Sequence, residues 1–222
     1  MKDNSFAFIA CVNDETAYKQ CLTHLKSLIV PRGYKVEFLS YRNQESMAHG
    51  YNKAIKNSSA KYKIYLHQDT LIINNNFLFD ILNIFIHHQT IGLIGVIGCE
   101  QLTSNGIWWE SEKCIGKVME NRNIYKTLDF GTITGELVVA EAVDGLIMIT
   151  QYDVPWREDI FNGWHYYDIS QCFEFKKFGY QIAIPNQKDP WCIHMCGETI
   201  NTSKYSHYQK KFINQYITKE KH

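Results

Sequence analysis

Three apolar, strand-like runs separated by two helix-length stretches fill the first 66 residues, and this order leaves few ways to fold. Residues 6–12 are continuously apolar and read as a buried strand. Asn13, Asp14, Glu15 and Thr16 then open a helix with apolar residues at Tyr18, Leu22, Leu25, Leu28 and Ile29, and Pro31-Arg32-Gly33 ends it. Residues 34–39 alternate as a second strand, 46–56 form a second helix through Met47, Tyr51, Ala54 and Ile55, and 63–66 make a third strand. Strands joined by helices run parallel, so the order predicts a Rossmann-like half.

The pattern continues less evenly. Phe77–His87 reads as a third helix and residues 91–98 as one further buried strand. The glycines of that strand do not make a dinucleotide fingerprint, because they neither follow a strand nor open a helix. Residues 101–134, with Gly106, Trp108, Trp109, Gly116 and Gly131, are expected to be loops and short strands covering a cleft. Two strand-like runs surround residues 141–144, and a turn-rich segment spans 153–161. A helix is expected over 164–178, ended by Gly179, and a last strand over 180–184. Residues 218–222 read as a solvated polar end. No internal repeat or low-complexity linker interrupts the 222 residues, so a single domain is expected.

Charge narrows the function. Lys plus Arg equals Asp plus Glu, 23 of each, which argues against a nucleic-acid partner needing a basic excess. The N-terminal apolar run is too short for a signal-peptide core, and no stretch nears the ~18 apolar residues of a membrane span. Seven cysteines without disulfide-framework spacing fit a reducing, cytoplasmic setting, and Cys11, Cys21, Cys99 and Cys172 sit among apolar residues. Cys192-x-His194-x-Cys196 lacks the second ligand pair usual in structural zinc sites, which weighs against structural zinc.

The third strand ends abruptly in His67-Gln68-Asp69. A carboxylate at the C-terminal lip of a buried strand stands where open α/β sheets bind ligands, and His-x-Asp offers imidazole and oxygen to a divalent cation. Asp69 is equally readable as a turn-capping residue. Other polar residues at element ends are Asn13, Asp144 before Gly145, the run Trp164-His165-Tyr166-Tyr167-Asp168, and His194, which could share a metal with Asp69. Neither a Walker lysine motif nor a Gly-x-Ser-x-Gly elbow occurs. His49, His87 and His88 follow no pattern and read as helix-surface residues.

Tyr65-Leu66-His67-Gln68-Asp69, Val143-Asp144-Gly145 and Trp164-His165-x-Tyr167-Asp168-x-Ser170 together resemble the bacterial glycosyltransferase-like proteins of the GT-A fold, near the inverting family-two enzymes. The resemblance runs from Phe8 to Gly197. It implies an α/β, Rossmann-like fold with a mixed, mainly parallel sheet flanked by helices. A nucleotide-binding half would occupy about residues 1–100, an acceptor half about 101–200 and a tail about 201–222.

The resemblance also implies roles. Asn13 and Tyr41 would meet the nucleotide base, Tyr41 being as readily a core or surface aromatic. Asp69 matches the last acid of the Asp-x-Asp motif, which holds Mn²⁺ or Mg²⁺ against the donor diphosphate; His67 replaces the first acid and would face the ribose or a water. Strand two departs as well, ending in Ser40-Tyr41-Arg42-Asn43 instead of Asp-Asp-x-Ser. Asp168 matches the catalytic base, against its plain reading as a helix N-terminal acid. His194 matches a C-terminal histidine that completes the metal site, against a surface histidine. Asp144 would bind sugar or acceptor hydroxyls, against a turn residue. Trp108, Trp109 and Trp164, with His165 and Tyr167, would line the sugar site, though any one tryptophan could be core.

The implied activity is transfer of a sugar from a nucleotide-diphospho-sugar, a UDP-sugar foremost, to a hydroxyl of a glycan, glycolipid or glycoprotein, with inversion. A lipid-linked acceptor would be met by peripheral contact at the cytoplasmic face. Two rivals stand beside it: a binding protein for glycans or nucleotide-sugars with its metal site degraded at His67, and a metal-dependent hydrolase built from Asp69, Asp168 and His194.

Overall fold

Capping and burial explain the first three strands and two helices. In the computed structural model, which describes residues 2–196 and 202–218, β1 (Lys2–Val12) is followed by α1 (Glu15–Ser27), β2 (Lys35–Arg42), α2 (Met47–Asn57) and β3 (Ala60–Leu66). The Asp14 carboxylate accepts from the N–H groups of Thr16 and Ala17 at 2.8 and 3.0 Å and starts α1. The Ser46 hydroxyl accepts from His49 N–H at 3.1 Å and starts α2. β1 pairs in parallel with β2 on one side and β3 on the other.

After β4 (Thr70–Ile72) and α3 (Phe77–His87) the chain departs from the expected single strand over 91–98. It forms two, β5 (Ile91–Gly95) and β6 (Ile97–Cys99), in different sheets. Val96 is the hinge: its carbonyl accepts from Lys117 N–H at 3.2 Å and from Gln187 Nε2 at 2.6 Å. Gly98 serves close approach, since a Cβ there would lie 2.1 Å from the Ala142 carbonyl oxygen.

The segment expected to be irregular holds a long hairpin, β7 (Cys114–Asn121) with β8 (Tyr125–Phe130), after a short 3-10 turn at Trp108–Glu110. Gly116, at φ +100, and the solvent-facing side of β8 obscure its alternation. Next come β9 (Leu137–Ala140), β10 (Ala142–Val143), β11 (Ile147–Thr150), α4 (Tyr167–Lys177), β12 (Gln181–Pro185) and β13 (Cys192–His194). β12 is thus not the last strand. α4 starts three residues later than expected because Tyr166 is left-handed, at φ +62, which no helix interior accepts.

The large sheet runs β2-β1-β3-β11-β5-β12-β9. β1, β2, β3, β5 and β12 share one direction while β11 and β9 oppose it, so the sheet is mixed and mainly parallel. The second sheet runs β10-β6-β7-β13-β4, with β8 on the free side of the β7 pairing.

The expected tail is mostly helix. α5 (Thr202–Phe212) continues through a π-helical turn at Ile213–Ile217, burying Phe212 and Tyr216 against Phe173 and, for Tyr216, Phe161. The Tyr216 hydroxyl donates to Glu174 at 2.7 Å. The rest of the polar end beyond Thr218, and Gly197 where the resemblance stops, lie outside the described residues. No helix among the described residues is long and apolar enough to cross a membrane.

Candidate functional site

The lip of β3 is a tight turn in which His67 N–H donates to the Leu146 carbonyl at 3.1 Å and Thr70 N–H to the His67 carbonyl at 3.2 Å. β4 leaves the turn and pairs antiparallel with β13, with Thr70 opposite His194. That ladder carries His194 to Asp69: Met195 N–H donates to the Asp69 carbonyl at 2.9 Å, and His194 Nε2 stands 3.5 Å from Asp69 Oδ1. His67 Nε2 lies 2.6 Å from the Tyr167 hydroxyl. His67, Asp69 and His194 each offer a ligand atom within 4.8 Å of the other two.

Charge explains how this group titrates. Burial pulls the His194 imidazolium down, but the Asp69 carboxylate and the Cys196 thiol outweigh it and hold its pKa at about 10. Burial works against ionised Asp69 as well, and His194 overcomes it, leaving the Asp69 pKa below the ordinary carboxylate value. Burial, and then His194, pull His67 below the usual imidazole value.

Between His67 and Asp69, Gln68 does something its sequence did not announce. Its side-chain carbonyl accepts from the N–H groups of Asn13 and Asp14 at 2.8 and 2.9 Å, and its amide donates to Asn13 Oδ1. The loop leaving β1 is thereby tied to the lip of β3. A long polar amide inside a His-x-Asp turn was the available signal.

Asp144 and Asp168 meet on the turn between β10 and β11. Asp144 is a turn residue in its hydrogen bonding, its carboxylate accepting from Leu146 N–H at 2.9 Å. The Asp168 carboxylate, in the first turn of α4, accepts from Gly145 N–H at 3.0 Å. Gly145 permits this approach, since a Cβ there would lie 2.2 Å from the Tyr167 hydroxyl. Burial, and then the Asp144 carboxylate, push the Asp168 pKa up to about 7. A carboxylate titrating near neutrality beside an open cleft is equipped to take a proton.

Two adjoining cavities organise these residues. The larger, about 530 Å³, is lined by Asp144, Asp168, Tyr167, His165 and His194 among others. A smaller one of about 220 Å³ is lined by Asn13, Gln68 and Asp69, and His67 and Trp164 line both. Trp108 also faces the larger cavity but is only 6% exposed, whereas Trp109 and Trp164 are each 43% exposed and present usable ring faces. Tyr41 is not brought here; it lines neither cavity, and its hydroxyl accepts from Asn57 Nδ2 at 3.4 Å. Glu120, Arg122, Cys196 and Tyr205 line the larger cavity without having been expected there. His49 and His88 are paired with Glu158 and Glu136, at 2.8 and 3.0 Å.

Residues 7–216 match the model of the glycosyltransferase-like family. The chain belongs to that family. No curated protein matches it. Among solved structures it is similar to the mannosyltransferase PcManGT from Pyrobaculum calidifontis in complex with GDP-Man and Mn²⁺, at 9% identity and a TM-score of 0.57, covering 92% of this chain and 60% of that one. GalNAc-T7 with UDP, GalNAc and Mn²⁺ is similar at 9% identity and a TM-score of 0.59, over 88% of this chain and 44% of that one. Residues 1–349 of S. aureus TarS give a TM-score of 0.58 at 9% identity, over 96% and 72%. This member of the glycosyltransferase-like family thus has the GT-A fold, and it spans about half the length of the first two of these relatives.

Proposed function

We propose that this protein is a single-domain enzyme that moves a sugar from a nucleotide-diphospho-sugar to a hydroxyl acceptor with inversion at the anomeric carbon. The observation that carries this reading is the Asp168 carboxyl, held near neutrality in the cavity next to the one that Asn13, Gln68 and Asp69 line. In this reading the acceptor hydroxyl gives its proton to Asp168 as its oxygen bonds to the anomeric carbon. The bond to the diphosphate breaks on the opposite face, and a nucleoside diphosphate leaves.

Asn13, held by Gln68, faces the base, while Trp109 and Trp164 offer ring faces to the sugars. Asp144, whose Oδ1 accepts from Leu146 N–H, meets hydroxyls through its carboxylate in the larger cavity. UDP- and GDP-sugars are the first donors to test, because structural relatives were solved with UDP, UDP-GlcNAc and GDP-Man. The acceptor is a glycan, glycolipid or glycoprotein. Seven unpaired cysteines support work in a reducing compartment, the cytoplasm.

A divalent cation fits the donor set. One carboxylate and two imidazoles in reach of one another suit Mn²⁺, which accepts nitrogen ligands, better than Mg²⁺, which favours oxygen. Asp69 and His194 would hold it, and a cation there would supply positive charge against the departing diphosphate. His67 contributes less, because its Nε2 is engaged by Tyr167. That engagement favours a second reading, in which the protein binds nucleotide-sugars or glycans without turnover.

The test is sugar transfer from a panel of UDP- and GDP-sugars with Mn²⁺ present, for the native chain and for Asp168→Asn. Transfer abolished by the substitution, with donor-induced thermal stabilisation retained, supports the enzyme. Donor binding without transfer by the native chain supports the second reading, and undiminished transfer by Asp168→Asn removes Asp168 as the base.

A further inference from the structure

The two ring nitrogens of His194 face two different neighbours. Nε2 stands 3.5 Å from Asp69 Oδ1, and Nδ1 stands 3.2 Å from Cys196 Sγ. The first contact belongs to the site just described, and the second leads to another set of ligands. Parallel pairing of β13 with β7 puts His194 opposite Glu120, so a carboxylate joins the thiol and the imidazole. Glu120, His194 and Cys196 each offer a ligand atom within 4.8 Å of the other two, and all three line the larger cavity.

We propose that Glu120, His194 and Cys196 form a second cation site, selective for Zn²⁺, which competes with the Asp69 site for His194. Thiolate, imidazole and carboxylate are the zinc ligand types, and three protein ligands with a fourth, open position is an established arrangement for that ion. Zn–S and Zn–N bonds in a tetrahedral site put the two ligand atoms about 3.6 Å apart, so the Sγ–Nδ1 pair needs little adjustment. The thiolate supplies selectivity, because soft sulfur ligands suit Zn²⁺ and are poor ligands for Mg²⁺ and Mn²⁺. Cys192, the other thiol of the Cys-x-His-x-Cys run, is fully buried and lines neither cavity; Glu120 takes the place the sequence motif left vacant.

Lys126 stands opposite Glu120 in the β7–β8 pairing, and the site is contested by Arg122. Its contacts to Glu120 are long, 3.4 and 3.5 Å, and its side chain is half exposed, so it can turn to solvent when a metal arrives. Competition follows from the imidazole itself. Zn²⁺ on Nδ1 leaves the ring proton on Nε2, which then donates to Asp69 and no longer ligates. Zinc binding is independent of the transferase reading, while the competition rests on the Asp69–His194 pair as a cation site.

Cobalt(II) substituted for zinc reports thiolate ligation by a near-ultraviolet charge-transfer band. Titrating the full chain with Co²⁺ is expected to raise that band in the native protein and in Asp69→Asn, and Zn²⁺ is expected to abolish it. Cys196→Ser should remove the band and Glu120→Gln should weaken Co²⁺ binding by more than about tenfold, one of three ligands being lost. Cys114→Ser, which changes the other partly exposed thiol, should leave the band intact. No band in the native chain, or a band that survives Cys196→Ser, overturns the site. Bound Mn²⁺, read by electron paramagnetic resonance, should fall as Zn²⁺ is added, and both ions bound at once overturn the competition. Mn²⁺ that fails to bind with zinc absent overturns the Asp69–His194 reading instead, and the cobalt band still decides the zinc site.

Discussion

Asp69 and Asp168 are the same residue in neighbouring cavities, with opposite electrostatics. Each is partly withdrawn from water, which disfavours the charged form. Asp69 has His194 as its neighbour and is held below the ordinary carboxylate value. Asp168 has Asp144 and is pushed up to about 7. Burial acts in the same direction on both, and the charge of the adjacent side chain adds to that shift at Asp168 and reverses it at Asp69. Ligand and base follow from that difference without any change of residue type.

The largest expected effect breaks the comparison at its catalytic end. Asp168→Asn keeps the shape and removes the proton acceptor, so kcat should fall by about 10³-fold, within the range general-base catalysis supplies. Steady-state transfer assays check this; a variant retaining a tenth of native kcat would end the base assignment. At the other end, His194→Ala should weaken Mn²⁺ binding by about 10²-fold, as loss of a ligand does. The reciprocal variant, Asp69→Asn, removes the carboxylate facing the His194 ring, so the His194 pKa should drop from about 10, followed by NMR titration of the imidazole. A His194 pKa that stays put would mean that Asp69 is not its dominant partner.

Stability gives an independent reading of Asp168. Its folded pKa lies above the unfolded value near 4, so the folded state holds a proton that the unfolded state releases in between. The resulting stabilisation is complete below about pH 4 and is lost as pH rises through about 7. Asp168→Asn lacks this dependence. Its Tm should therefore fall less than the native Tm between pH 5 and 8, by a few degrees in calorimetry. Equal slopes would contradict the raised pKa.

Much of the fold was legible because each early signal was local. Asp14 and Ser46 announced two helices, and the unbroken apolar run 6–12 of β1 announced a strand buried on both faces, while β3 is buried although it carries Lys63, whose ammonium pairs with Asp153. The β7–β8 hairpin was hidden because one strand is bent at Gly116 and the other faces solvent, so neither alternates cleanly. The C-terminal helix was passed over although Tyr205, Tyr208, Phe212 and Tyr216 carry a helical aromatic spacing. At the site, Asp69, His194, Asp144 and Asp168 could be picked from their positions at element ends, and they do line the two cavities. What joins them could not be read, since the β13–β4 ladder and the Gly145 contact link residues far apart in the chain. Tyr41 stayed away because β2 is the edge strand of the large sheet.

Asp144 sharpens the comparison further. Asp144→Asn removes the like charge facing Asp168, so the Asp168 pKa should fall. A native pH profile of kcat/KM should rise with pH and level off above about 7, as the base loses its proton. In Asp144→Asn the amide oxygen can keep the turn bond from Leu146, and the rise should move to lower pH while the plateau falls with the lost carboxylate contact to substrate hydroxyls. An unmoved inflection would assign the elevated pKa to burial alone.

The smallest effect separates the two cavities from each other. Gln68 hydrogen-bonds the β1 exit loop, accepting two backbone N–H groups and donating to Asn13. It makes no contact with Asp168. Gln68→Ala exposes those N–H groups to water instead of burying them unpaired, so the cost is the net value of the lost bonds, about 1 kcal/mol. That loosens the loop facing the proposed base pocket and should raise the donor KM about fivefold, with kcat and the pH profile unchanged. A fall in kcat at constant KM would mean that the Gln68 clamp reaches the chemistry, and the two carboxylates could no longer be treated as independently tuned.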